Sequence, residues 1–196
     1  MSTFKDIFDA MKSGTVEDVQ YFIEKQGVDV NTANENGATL LHLAAGACGD
    51  LEIVKYLISK GAEINSVTPG CTPLHLVAAS PTGVKIINYL ISKGADVNAK
   101  ERNGFTPLHL AAHTNVNVDI FKCLVSQGAE VNAKGSGGLT PLHMAAVQNP
   151  NIEVLEYLIS QGADLTAKDD QCGGTPLDCA GTEDKKKVLR EAMQGK

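Results

Sequence analysis

The sequence predicts an all-α repeat solenoid, an array of helix-turn-helix units stacked side by side and joined by β-hairpin loops. Three observations predict it. The signature Thr-Pro-Leu-His begins at Thr72, Thr106 and Thr140, with weaker copies at Thr39 and Thr175. Successive threonines are 33, 34, 34 and 35 residues apart, and a period of that length marks stacked repeats. A second series keeps step with the first: KGAEIN ends at Asn65, KGADVN at Asn98, QGAEVN at Asn132 and QGADLT at Thr166, with QGVDVN ending at Asn31 ahead of them. Finally, 43% of the 196 residues are hydrophobic, enough for a substantial core, while no apolar stretch approaches the length that spans a bilayer.

The elements follow in chain order. Residues 1–33 read as an N-terminal capping repeat. Phe4, Ile7, Phe8 and Met11 share one helical face and leave Lys5, Asp6, Asp9 and Lys12 for the outer surface. Thr15 with Asp18 three residues later resembles a helix-starting box. Four full repeats occupy 34–66, 67–100, 101–134 and 135–168. Each opens on a tight turn, marked by Asn36-Gly37 and Asn103-Gly104. The signature threonine then caps a first helix, whose first turn accepts Pro73, Pro107 or Pro141 because no N–H is needed there. Small pairs such as Ala111-Ala112 and Ala145-Ala146 allow close helix approach, and Ile53, Val54, Leu57 and Ile58 make the apolar stripe of a second helix that Gly61 closes. Residues 169–196 read as a C-terminal capping repeat, in which Asp178 replaces the signature histidine and a polar final helix follows.

These residues resemble the ankyrin repeat family along essentially the whole chain. The resemblance implies hairpins and first helices lining one grooved face, a non-catalytic role in binding protein partners, and histidines that link a turn to the adjoining repeat. His42, His75, His109 and His143 are then structural. From each of them to the helix-ending glycine is 19 residues, about one more than the family pattern, so an enlarged loop between the two helices is expected in all four full repeats. The last finger, KDDQCGG, is one residue longer than its fellows and is expected to be the most mobile.

Charge and chemistry exclude other classes. The net charge of −6 speaks against nucleic acid, and Lys185-Lys186-Lys187 reads as a solvated helix face. No basic leader or membrane-inserting segment is read, so a soluble, monomeric, cytoplasmic protein is expected, a nuclear or secreted-effector location also fitting the family. Cys48, Cys71, Cys123, Cys172 and Cys179 show no zinc spacing and are expected reduced. His113 stands one helical turn from His109, but Leu110 occupies the place a HExxH glutamate needs and a zinc site would still need a third ligand. Gly135-Ser136-Gly137-Gly138 lacks the Lys-Ser/Thr of a phosphate loop and reads as a hairpin tip, and Asp169-Asp170 reads as a solvated pair. Neither a catalytic site, a cofactor nor a metal is expected.

What remains is recognition. The residue before each signature threonine varies (Ala38, Cys71, Phe105, Leu139, Gly174), as does the fourth after each histidine (Gly46, Ala79, His113, Val147). The large side chains gather in the fourth and fifth units, where Phe105, Leu139, Val147 and His113 are expected to form a partly apolar patch rimmed by Arg102, Asn103, Thr114 and Gln148. The segment ending at Asn98 also resembles ankyrin segments hydroxylated on asparagine, which makes Asn98 a candidate for modification and hydroxylation-dependent regulation an alternative function.

Overall fold

The computed structural model describes residues 4–67 and 70–195. Twelve α-helices among them form two layers. The inner layer is α1 (Ile7–Ser13), α3 (Leu40–Leu43), α5 (Pro73–Ala78), α7 (Pro107–Thr114), α9 (Pro141–Gln148) and α11 (Pro176–Cys179). The outer layer is α2 (Val16–Gln20), α4 (Leu51–Ser59), α6 (Val84–Ser92), α8 (Val118–Ser126), α10 (Ile152–Ser160) and α12 (Glu183–Gln194). Each helix packs on the next of its own layer, α5 on α7 on α9 within and α6 on α8 on α10 without. One apolar core runs between the layers, with Leu40, Leu74, Leu108 and Leu142 from inner helices meeting Leu57, Leu90, Leu124 and Leu158 from outer ones. Trimming such a buried leucine to alanine costs about 2–5 kcal/mol.

The caps are those the sequence called for. Thr39, Thr72, Thr106, Thr140 and Thr175 all adopt extended backbone ahead of an inner helix, and Pro73, Pro107, Pro141 and Pro176 take its first position. Thr15 and Asp18 make the reciprocal box that starts α2. The fingers are shorter in regular structure than β-hairpins. Among the described residues no strand forms, and the single isolated bridge joins Ala33 to Thr39. Turn hydrogen bonds close them instead, as when Glu101 N donates to Phe105 O at 2.9 Å and Gly104 N to Glu101 O at 2.8 Å, with Gly104 at a positive φ of 76°. Neighbouring fingers are stitched edge to edge: Arg102 N donates to Gly70 O, Ser136 N to Asn103 O and Asp170 N to Gly137 O.

The surplus residue between the helices is handled in two ways. Where an enlarged loop is expected, Ala79–Gly83, Asn115–Asn117 and Asn149–Asn151 provide one. The repeat 34–66 departs from that expectation. There the inner helix continues as a π turn over Ala44–Cys48, Gly49 N reaches back five residues to Ala44 O at 3.1 Å, and only Gly49 and Asp50 precede α4. Absorbing an insertion without breaking the helix is what π turns commonly do. The same device recurs over Tyr21–Lys25 at the end of α2. Thr15 lies 12 residues before Gly27, against 11 from Asp50 to Gly61 and from Asn117 to Gly128, and Val28 N correspondingly spans six residues to Phe22 O.

Candidate interaction face

The face begins with four histidine clasps. His42, His75, His109 and His143 are fully buried. Each Nε2 donates to a main-chain carbonyl of the following finger: Cys71 at 2.9 Å, Phe105 at 3.0 Å, Leu139 at 3.0 Å and Gly174 at 3.2 Å. On the other side Nδ1 of His75, His109 and His143 accepts the backbone N–H of its own signature threonine at 3.0–3.2 Å. In these three the proton that reaches the carbonyl therefore sits on Nε2, and the Nδ1 lone pair is in use. Burial holds His42 and His75 below the usual imidazole range and brings His109 down to about 4. Both nitrogens of His109 are committed, which leaves no lone pair for a metal beside His113.

A ladder of asparagines ties the ends of the outer helices. Nδ2 of Asn31, Asn65, Asn98 and Asn132 donates to the helix-closing glycine of the next unit, at 3.3, 2.9, 3.0 and 3.0 Å. Each Oδ1 accepts a backbone N–H two residues beyond that glycine, for Asn98 that of Glu130 at 2.9 Å. Asn98 is thus one rung of four, its amide engaged at both ends.

A second ladder was not foreseen. Asn115 and Asn149, both buried, sit at the mouths of the enlarged loops. Asn115 Nδ2 donates to Ala78 O at 2.8 Å and Ser80 O at 2.9 Å, and Asn149 Nδ2 to Ala112 O at 3.0 Å and Asn115 O at 2.8 Å. They satisfy carbonyls at the end of the preceding inner helix, groups that have no partner within it. Asn117 and Asn151 extend the pattern by donating to Pro81 O and Val116 O. The repeated Asn-x-Asn was visible in the chain as a signal. In the last unit Lys185 takes over: nearly buried, it donates from Nζ to Ala146 O at 3.1 Å, and burial lowers its affinity for the proton. Lys185 therefore does not belong to a solvated face as expected, whereas Lys187 is exposed.

Asp169 also departs from expectation. It is buried, with its carboxylate accepting from Gln171 N at 2.8 Å, Cys172 N at 2.9 Å and Gly174 N at 2.8 Å. Those bonds, led by the Cys172 N–H and thiol, hold it down to about 2. A carboxylate so enclosed organises the long finger around itself. Asp170 is exposed. Of the cysteines, Cys71, Cys123, Cys172 and Cys179 are free thiols; Cys48 lies outside the residues whose side chains are described.

The variable residues are distributed over this frame. Phe105 is half-buried, its ring lying 5.3 Å from that of His109 and so close over Gly135 that a Cβ there would fall 2.2 Å from the ring. Leu139 and His113 are half-buried, whereas Val147 stands 44% exposed. Arg102, Asn103, Thr114 and Gln148 are exposed. Asn103 is brought to Phe105 through Glu101, whose carboxylate accepts the N–H of both at 2.7 and 3.2 Å. The remainder do not gather in one cavity: Arg102 lines a cleft of about 420 Å³ with Asn36, Gly37 and Val67, and Val147 and Gln148 line another of about 620 Å³ beside Lys185. Among the described residues no helix is long and apolar enough to cross a membrane.

Comparison with known proteins completes the description. The model for ankyrin repeats (3 copies) matches residues 7–101 and again 77–169. The chain is 41% identical over 63 residues to the E3 ubiquitin-protein ligase Ufd4 of Drosophila melanogaster, a stretch that is 32% of this chain and 2% of that protein. It is 40% identical over 60 residues to alpha-latrocrustotoxin-Lt1a of Latrodectus tredecimguttatus, covering 31% of this chain and 4% of the toxin. It is 36% identical over 61 residues to the palmitoyltransferase akr1 of Schizosaccharomyces pombe, covering 31% of this chain and 9% of the enzyme. The chain thus spans only a small fraction of the length of these relatives.

Proposed function

The chain belongs to the ankyrin repeat family, and from that premise we propose that it is a non-catalytic adaptor that holds a protein partner against the fingers and inner helices of its fourth and fifth units. One observation carries this reading. The histidine clasps grip the main-chain carbonyls of Phe105 and Leu139 rather than their side chains. The backbone at these positions is held whatever side chain it bears, so residue identity there is left to recognition.

Val147 supplies the exposed apolar surface and His113 a polar edge. Phe105 and Leu139, half-buried, form a firm floor, because contacts on a ring already fixed against Gly135 lose little side-chain freedom on binding. Arg102, Asn103, Thr114 and Gln148 supply the polar rim.

Affinity capture from the native cell tests the reading. Wild type, a Phe105→Ala/Leu139→Ala variant and a Val116→Ala control, the last placed on an inter-helix loop, are compared as folded proteins by circular dichroism first. A protein retained by wild type and control but weakened at least about tenfold by the double variant is expected, equivalent to about 1.4 kcal/mol. Equal capture by all three sinks this assignment of the face.

A further inference from the structure

We infer that Cys172 and Cys179 are a dithiol oxidation site, at which a hydroperoxide forms an intramolecular disulfide that fastens the last finger to the last inner helix. The inference is independent of the docking role proposed above.

It rests on what surrounds Gly174. In the fourth and fifth units the residue before the signature threonine is Phe105 or Leu139; in the sixth it is a glycine. The side-chain space released there is taken by two sulfurs and a carboxylate. A Cβ on Gly174 would lie 2.8 Å from Asp169 Oδ2, 3.2 Å from Cys172 Sγ and 3.4 Å from Cys179 Sγ. Both sulfurs thus stand within 3.4 Å of one point, over a residue with no side chain to separate them. Cys172 comes from the exposed turn of the finger and Cys179 from the end of α11, half-buried. Side-chain rotation about the Cα–Cβ bonds, with Gly173 and Gly174 in the intervening backbone, brings the pair towards the roughly 2.0 Å of a disulfide. The cost in existing bonds is small, since Cys172 gives up only its thiol's donation to Asp169 Oδ2 at 3.2 Å. The three backbone donors that organise the finger remain on Asp169.

Exposure assigns the order of events. Cys172, exposed, meets the oxidant first, while burial pushes the Cys179 thiol up and keeps it in reserve. The Cys172 thiolate attacks the peroxide: an S–O bond forms, the O–O bond breaks, and an alcohol or water leaves with the proton taken from the thiol. Cys179 then attacks Cys172 Sγ. The S–S bond forms, the S–O bond breaks, and hydroxide departs as water with the proton of Cys179. Two thiols are oxidised by two electrons and one hydroperoxide is reduced.

The full-length reduced chain, treated with one equivalent of hydrogen peroxide, alkylated with iodoacetamide and cut with trypsin, reads the outcome directly. Lys168 and Lys185 bound a peptide that contains both cysteines and no others. That peptide is expected without alkyl groups and lighter by two hydrogens, while those of Cys71 and Cys123 are alkylated. In C179S the reaction stops at a sulfenic acid that dimedone captures; in C172S the Cys179 thiol is consumed about tenfold more slowly. Circular dichroism checks that both variants are folded, and the mass of the wild-type peptide decides the inference without either of them. Two alkyl groups on the wild-type peptide, after peroxide that oxidises an equal amount of dithiothreitol, overturn the inference. So does a Cys172 recovered joined to a second chain, or a C179S that yields no sulfenic acid.

Discussion

His109 joins two units with a single ring: its Nδ1 accepts from Thr106 in its own finger and its Nε2 donates to Leu139 O in the next. Because burial brings it down to about 4 from an ordinary value of 6.5, the unfolded chain binds a proton that the folded one refuses. Stability is therefore whole above 6.5 and is lost progressively as the pH falls towards about 4. His42 and His75, shifted in the same direction, add to the slope. Urea midpoints measured across that window should fall with pH, and His109→Ala should flatten the curve while costing about 2–4 kcal/mol at neutral pH, since it strands Leu139 O and opens a cavity. A pH-independent midpoint in wild type would show that the rings are not held neutral. That these histidines are structural was legible from recurrence, because a residue that returns once per repeat serves the repeat, while their link to the adjoining unit was what the family resemblance implied. The burial of Asp169 was not legible. Its partners are the N–H groups of its own turn, and a sequence does not show which way a long finger folds over an acid.

Between helix and helix, one extra residue has two outcomes, a loop or a π turn. Repeat 67–100 makes its loop at Pro81, which cannot continue a helix, with no side-chain amide of its own. Where Asn-x-Asn follows the inner helix, at Asn115–Asn117 and Asn149–Asn151, the surplus makes a loop whose amides cap the helix before it. Repeat 34–66 has Gly46-Ala47-Cys48-Gly49 there, with no side-chain amide to offer, and the helix widens into a π turn ended by Gly49 in the left-handed region (φ 62°). The count of 19 residues revealed the insertion but not its shape, since the choice lies in the local turn residues together with hydrogen bonds to a neighbouring unit. Asn149→Ala should accordingly cost about 2–4 kcal/mol by chemical denaturation, for it leaves two buried carbonyls unpaired, whereas Asn132→Ala, on the exposed ladder, should cost about 1 kcal/mol. Equal losses would mean the buried ladder adds nothing beyond the exposed one.

Across the whole array the bonding is uneven. Histidine clasps and the outer asparagine ladder run through all four full repeats, but the buried ladder begins only at Asn115 and ends at Lys185. In a stack whose stability is a sum of units and nearest-neighbour interfaces, the second half should open last. Hydrogen–deuterium exchange should find the amides of α7 and α9 protected longer than those of α3, with the difference reduced in Asn149→Ala. Equal protection would indicate that the molecule opens as one unit. The two-layer stack was legible from the period; the gradient along it was not, because no single repeat displays it.

The clasps carry one more consequence. Each histidine reads a carbonyl, a group every residue possesses, so the clasp itself makes no demand on the side chain that follows. Were the segment 101–134 spliced twice in tandem, His109 of the first copy would find Phe105 O of the second where it now finds Leu139 O, and the one residue to rewrite would be Glu101 of the second copy, which takes the place where Gly135 leaves room for the Phe105 ring.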